Sequence, residues 1–408
     1  MIKTCVIVGA SHAGVNCAFA LRNYGWSGKI ILLDAAPHLP YAKPPLSKTF
    51  LTDQCEPAEI KNKSAYAQQD IDLRLGSRVL EIDSDNHTVF LEDASLILFD
   101  FLVLATGAKA VIPPIEGVHS SHVYYLRTLS DALKIKKATI NNEKDKFLII
   151  GAGYVGLEIA ASLRKLQKSV VIVEREERIL SRVTSEITSS YFYDLHTKNG
   201  VEIFCDKEVI RISKNAKQSS VLCADGTVFH ADSIIVGVGA IPQTHLAEQA
   251  GLDIDKGILI DQNCRTSNPK IFAIGDCTRF KHPLYKDFIR IESIQNAVDQ
   301  AKIAAANITG NNVVYDSLPW FWSDQYEVKL QMAGLPVDYD NLIMRKKSDE
   351  EVSIWYLKND QIIAVDAINN PRAYMLGMKL IKSKSQVEPK KIKDIETPLS
   401  PTSFLKEV

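Results

Sequence analysis

A single pattern occurs twice in this chain, and it limits the possible folds more than any other feature of the sequence. Residues Lys146 to Ile150 form an apolar, β-branched run that stops at Gly151-Ala152-Gly153-Tyr154-Val155-Gly156. A helical stretch continues through Leu166, and a second apolar run, Val170 to Val173, ends in Glu174. Strand, glycine turn, helix, strand and terminal acid, in that order, describe a dinucleotide-binding βαβ unit. The chemistry asks for these residue types. The first glycine permits a tight turn, the second lets a pyrophosphate approach the backbone, and the third lets helix and strand pack closely. The helix N-terminus offers N–H groups and the positive end of its dipole to the phosphates. An acid about 20 residues further on reaches a ribose hydroxyl.

The same grammar runs through Lys3 to Val8, then Gly9-Ala10-Ser11-His12-Ala13-Gly14, a helical stretch Val15 to Tyr24, and a strand Ile30 to Leu33 ending in Asp34. Ser11 replaces the usual middle glycine, so this copy departs from the full pattern. The likeness extends further. Asp100 to Ala108, with Ala105-Thr106-Gly107 at its end, closes the first unit as Asp232 to Ala240, with Gly237 and Gly239, closes the second. Each reads as a buried parallel strand, and Pro113 or Pro242 forces the chain out of the sheet just beyond. The predicted class is α/β with two Rossmann-like domains.

A length of 408 residues allows two or three domains. Hydrophobic residues make up 46% and charged residues 24%, so the chain is expected to fold throughout. Lys plus Arg and Asp plus Glu stand at 48 against 49, which leaves no overall field to recruit nucleic acid or an anionic membrane. The cysteines, Cys5, Cys17, Cys55, Cys205, Cys223, Cys264 and Cys277, include no C-x-x-C pair, so zinc ribbon, haem attachment and dithiol motifs are unsupported and no metal site is expected. They read as small buried residues of a reducing compartment. The first strand begins at once, which leaves no room for a signal peptide, and no apolar run approaches the ~20 residues that cross a bilayer. The expected location is cytoplasmic.

Thr266 to Asp276, ending Ile271-Phe272-Ala273-Ile274-Gly275-Asp276, resembles the second FAD fingerprint of the FAD-dependent pyridine nucleotide oxidoreductases. By that resemblance Asp276 binds the ribityl chain, FAD takes the first unit and the nicotinamide cofactor the second. The chain then leaves the FAD domain, builds the NAD domain and returns: residues 1–113 and 242–318 for FAD, 114–241 for NAD, and 319–408 as a small α+β C-terminal domain.

Tyr41-Ala-Lys-Pro-Pro-Leu-Ser-Lys-Thr-Phe-Leu51 resembles the signature of the bacterial ferredoxin reductases that serve P450 and aromatic-ring dioxygenase systems, with Lys43 where the family usually has Arg. Lys48 matches the lysine placed beside the flavin ring, and Glu158, expected in the first turn of the NAD helix, is its candidate partner. Arg290 to about Ile308 resembles the flavin-facing helix, and Leu318 to Gln325 the tryptophan-bearing opening of the C-terminal domain, with Trp322 as flavin neighbour and Trp320 as core. The resemblance thus implies Lys48, Glu158 and Trp322 as catalytic residues. It implies FAD contacts from Gly9, Ser11, His12, Ala13, Gly14, Asp34, Lys43, Pro45, Lys48, Ala105, Thr106, Gly107, Asp276, Glu292, Ser293, Gln295, Ala297 and Trp322. For NAD it implies Gly151, Gly153, Tyr154, Val155, Gly156, Glu158, Glu174, Arg175, Gly237 and Gly239.

The implied reaction is hydride transfer from NADH to FAD, followed by single-electron delivery to a [2Fe–2S] ferredoxin or a rubredoxin-like carrier. Cys55 stands alone after the first helix, so a thiol relay is not expected. Glu174 favours NADH, while Arg175 and Arg178 leave NADPH open. Two other readings stay open: a small-molecule reductase or NADH oxidase of the monodehydroascorbate or quinone type, and a flavin redox sensor resembling apoptosis-inducing factor. Lys384, Lys390, Lys391 and Lys393 read as solvated charge, with steering of an acidic ferredoxin as the alternative. The chain is expected to be a monomer or homodimer.

Overall fold

The computed structural model describes residues 2–53, 56–140, 145–214, 218–285 and 287–406. These residues divide into two units. The first comprises Met1–Ala42, Pro57–Lys109 and Ala240–Pro319; the second comprises Lys43–Glu56, Ala110–Gly239 and Trp320–Val408.

The first unit is built on a five-stranded parallel sheet in the order Ile271–Ala273, Phe101–Leu104, Thr4–Val8, Lys29–Leu33 and Ile71–Arg74. Covered on both faces, its strands need apolar side chains at nearly every position, and Cys5, Val6, Ile7, Leu32, Leu33, Leu102, Val103 and Leu104 are wholly buried. The helices His12–Asn23 and Ile294–Ile308 pack against each other on this sheet. Both helices carry small, wholly buried residues, among them Ala18, Ala301, Ala304 and Ala305.

The second unit repeats the arrangement: Val201–Phe204, Ser169–Val173, Lys146–Ile150, Ser233–Val236 and Val123–Tyr125 form a five-stranded parallel sheet. In both sheets the strand before the glycine turn lies between the strand that ends in the acid and the strand that leaves the domain. This unit also holds a five-stranded antiparallel sheet, in the order Trp320–Gln325, Val328–Gly334, Gln361–Ile368, Val352–Lys358 and Asn341–Lys346, with the helix Pro371–Ser383 against it. Strand alternation puts Leu330, Met332, Ile354 and Tyr356 into one core with Leu157, Ile159 and Phe192 of the parallel-sheet layer. Leu51 joins the same core, which anchors the short helix Thr49–Thr52 and the 3₁₀ turn Pro44–Ser47 to this unit.

The α/β class, both glycine-turn units and the α+β C-terminal part agree with the sequence reading. The helix expected from Arg290 starts at Ile294, with Ser293 as its cap accepting from the Asn296 N–H at 3.1 Å. Among the described residues, no helix is long and apolar enough to cross a membrane.

Candidate active site

In the first unit, Gly9 has φ +104°, and a Cβ on it would lie 2.3 Å from the Ala105 carbonyl oxygen; one on Gly14 would lie 1.9 Å from that of Gly9. Both must be glycine. Ser11 has extended backbone and caps the helix without a side-chain cap bond, so its hydroxyl is not spent on the first turn. His12 opens the helix and Ala13 is buried within that turn. Asp34 accepts from the Ala10 N–H at 2.7 Å and the Ala36 N–H at 2.8 Å, one on each oxygen. The acid therefore fixes the turn, and each oxygen keeps a second lone pair for a hydroxyl.

The Gly275-Asp276 segment comes to the same place: a Cβ on Gly275, at φ +81°, would stand 3.1 Å from Ala13 Cβ and 3.9 Å from Ala297 Cβ. Gln300, wholly buried, accepts from the Gly275 N–H at 2.6 Å and so ties this segment to the Ile294–Ile308 helix. Ser293 and Gln295 stand at the head of that helix, Gln295 donating to Asp299 at 2.5 Å, while Glu292 precedes it and pairs with Arg290 at 2.7 Å. Thr106 donates to the Gln243 carbonyl at 2.6 Å and its own carbonyl accepts from Gln243 Nε2 at 2.7 Å, closing the exit after Ala105; the Gly107 carbonyl accepts from the Gln243 N–H. Two glycine segments, an acid and a helix head thus converge within the first unit.

In the second unit the geometry recurs. A Cβ on Gly151, at φ +102°, would lie 2.6 Å from the Gly237 carbonyl oxygen, and one on Gly156 would lie 2.3 Å from that of Gly151. A Cβ on Gly153 would meet nothing within 4 Å, so no protein contact demands glycine there, and a phosphate has room to reach the backbone. Glu174 accepts from the Ala152 N–H at 2.5 Å and the Glu176 N–H at 3.0 Å, matching Asp34 oxygen for oxygen. Arg175 pairs with Glu176 at 2.8 Å, and Arg178 is engaged by the Ser181 and Thr184 carbonyls at 2.9 and 3.0 Å. Val155 is exposed, and Gly239 receives the Val111 N–H on its carbonyl. These residues fit a dinucleotide in each unit.

Lys48 and Glu158, 110 positions apart, form an ion pair at 3.0 Å (Nζ to Oε1), the lysine side chain 18% and the glutamate 6% exposed. Lys48 follows the 3₁₀ turn that Lys43 opens and Pro45 continues. Glu158 is the fifth residue of the helix Tyr154–Lys165, so it begins the second turn and not, as expected, the first. Ser47 donates to its other oxygen, Oε2, at 2.6 Å, and Ser323 to Oε1 at 2.7 Å. Sequence reasoning missed both serines. Trp322 lies half-buried beside Trp320, ring centroids 5.6 Å apart, on the opposite strand face from Phe321 and Ser323. Phe321 packs on Tyr154 at 5.0 Å, and Tyr154 reaches Met332 Sδ at 2.9 Å; burial pushes its phenol well above the ordinary range.

Two dinucleotide cradles and a desolvated lysine–glutamate pair define an oxidoreductase of the two-nucleotide class. Residues 3–301 match the pyridine nucleotide-disulphide oxidoreductase family and residues 320–403 the reductase C-terminal family; the chain belongs to the former. It is 39% identical to putidaredoxin reductase of Pseudomonas putida over 403 residues, 97% of this chain and 95% of the relative. It is 38% identical to rhodocoxin reductase of Rhodococcus erythropolis, with 96% and 92% covered. A solved covalent putidaredoxin reductase–putidaredoxin complex matches with a TM-score of 0.93 at 38% identity, covering 97% of each chain.

Proposed function

We propose that this chain is an FAD-dependent NADH:ferredoxin reductase that delivers electrons to a [2Fe–2S] ferredoxin or rubredoxin-like carrier. Residues 1–113 and 242–318 serve FAD, 114–241 serve NADH, and 319–408 form the C-terminal domain. The observation that carries the reading is the Lys48–Glu158 pair. A lysine kept in place by a nearly buried carboxylate is a fixed cation, and a fixed cation favours an electron-rich ring without reorganising when charge arrives. When bound, FAD supplies the exchange between two-electron and one-electron chemistry.

The chain's own residues set the rest. Asp34 and Glu174 hold the glycine turns open toward phosphate and offer lone pairs to ribose hydroxyls. With Arg175 neutralised by Glu176 and Arg178 engaged by carbonyls, the environment of Glu174 favours the 2′-hydroxyl of NADH over a 2′-phosphate. Trp322 acts as the aromatic neighbour of the redox site. Cys5, Cys17, Cys264 and Cys277 are wholly buried, and burial pushes their thiols up, Cys17 to about 12, which disfavours thiolate relay chemistry. Cys55 lies outside the described residues. Free cysteines also support a reducing, cytoplasmic location.

The names of the relatives support a carrier protein as acceptor. The test is cytochrome c reduction by NADH with and without added [2Fe–2S] ferredoxin. Rapid reduction only with ferredoxin supports the reading. Equal rates without it favour a small-molecule reductase, and slow turnover with every acceptor favours a redox sensor.

A further inference from the structure

Glu158 ends a line of buried hydrogen bonds that begins two elements away. Ser323 Oγ lies 2.7 Å from Glu158 Oε1, Gln325 Nε2 lies 3.1 Å from Ser323 Oγ, and His196 Nε2 lies 2.8 Å from Gln325 Oε1. Tyr326 Oη stands 3.3 Å from His196 Nδ1. Ser323, Gln325 and His196 have no solvent exposure at all. Strand alternation puts Ser323 and Gln325 on one face of Trp320–Gln325, turned toward the helices Tyr154–Lys165 and Glu186–Lys198.

Counting protons gives the line a direction. A carboxylate only accepts, so the single proton of Ser323 goes to Glu158. The Ser323 oxygen then accepts from the Gln325 amide, which turns the Gln325 carbonyl to His196. That carbonyl requires a proton on His196 Nε2. Burial holds His196 down at about 4, so at neutral pH the ring is uncharged and its Nδ1 is left as an acceptor, supplied by the Tyr326 hydroxyl. The opposite direction would aim the Ser323 proton away from the carboxylate and demand an unprotonated Nε2.

We propose that Ser323, Gln325 and His196 form a one-way hydrogen-bond relay that positions Glu158 for its pairing with Lys48, with Gln325 and His196 as positioning residues that act on the carboxylate without touching it. Its bearing on catalysis rests on the function proposed above, whereas the relay itself does not.

The experiment is nitrogen NMR of the FAD-loaded protein carrying [15N]histidine, with the His196 signals assigned by their loss in H196F. The expected result is a single tautomer protonated at Nε2. Glu158→Met removes the acceptor that sets the direction, and is expected to give His196 a mixture of both tautomers although the two residues do not touch. A wild-type ring protonated at Nδ1 overturns the relay whether or not any variant folds, and so does an unaltered tautomer in a folded E158M. In stopped-flow reduction by NADH, Ser323→Ala is expected to slow flavin bleaching about tenfold, the loss of one charge-assisted bond. Ser323→Thr is expected to restore it, and Gln325→Met to slow it about threefold. Wild-type rates in both S323A and Q325M sink the relay. A wild-type protein that NADH does not bleach sinks the proposed function while leaving the tautomer result standing.

Discussion

Asp366 offers the sharpest test of how the second unit is held together. It is 2% exposed on the strand Gln361–Ile368, and its Oδ2 accepts from Thr184, from Tyr356 Oη at 2.6 Å and from Thr188 Oγ1 at 2.7 Å. Those donors join the antiparallel sheet to the start of the helix Glu186–Lys198. Replacing Asp366 with alanine strands them unequally. Tyr356 can donate instead to Ser185 Oγ at 3.0 Å, and Thr184 to the Tyr356 oxygen at 3.1 Å, which leaves the Thr188 hydroxyl without a ready acceptor. One stranded buried hydroxyl costs about 1–3 kcal/mol, so Asp366→Ala is expected to lose about 2 kcal/mol; with an m-value of roughly 3 kcal/mol/M its urea midpoint falls by about 0.7 M. Asp366→Asn keeps an acceptor and behaves differently with pH. Burial raises the Asp366 carboxyl above its ordinary value. The folded state therefore holds the proton more tightly than the unfolded chain. Its stabilisation is complete below the unfolded value of about 3.9 and is lost as pH rises through the higher folded value. Asn has no such loss. The stability of D366N relative to wild type is thus expected to increase as pH rises from about 4 through the raised folded value, read by tryptophan fluorescence from Trp320, Trp322 and Trp355 of the same sheet. A D366N deficit that widens as pH rises would show that Asp366 is not held above its ordinary value by burial.

Three further outcomes follow from the site. Lys48→Met removes the cation and leaves Glu158 with two hydroxyl donors; flavin bleaching by NADH is expected to slow on the order of a hundredfold with FAD content unchanged. Gly275→Val forces a branched side chain into a left-handed backbone facing Ala13, and is expected to weaken FAD retention about tenfold or more, measured as the flavin-to-protein absorbance ratio after dialysis. Glu174→Ala removes the acceptor for the Ala152 N–H and the candidate ribose contact, so KM for NADH is expected to rise about tenfold while the NADH-over-NADPH preference shrinks; an unchanged preference would remove Glu174 from cofactor choice.

Much of this architecture was legible because its signals are local. Gly9, Gly14, Gly151 and Gly156 are demanded by carbonyls within a few residues or on the adjacent strand, and Asp34 and Glu174 grip the turns they follow, so spacing alone conveys the unit. Lys48 and Glu158 carry no mutual signal at a separation of 110 positions; their pairing was legible only through resemblance. The support around them was not read at all. Ser323 and Gln325 did leave a trace, as polar residues two apart in a strand opened by Trp320-Phe321-Trp322, the pattern of a buried polar face. His196 left none, since a histidine near the end of a helix resembles any surface histidine until the strand carrying Gln325 is laid beside it. The start of the helix at Ile294 and not Arg290 shows the limit of composition against a cap: Ser293 decides the boundary through one hydrogen bond.

The proposed function stands on electrons entering from NADH and leaving to a folded iron–sulfur carrier through a single flavin. Anaerobic stopped-flow mixing of the FAD-loaded protein with NADH, followed by oxidised [2Fe–2S] ferredoxin, tests it directly. The expected result is loss of the yellow flavin absorbance on the first mixing and its return, in step with ferredoxin reduction, on the second. Flavin that stays oxidised with NADH, or reduced flavin that ferredoxin cannot reoxidise, would contradict it.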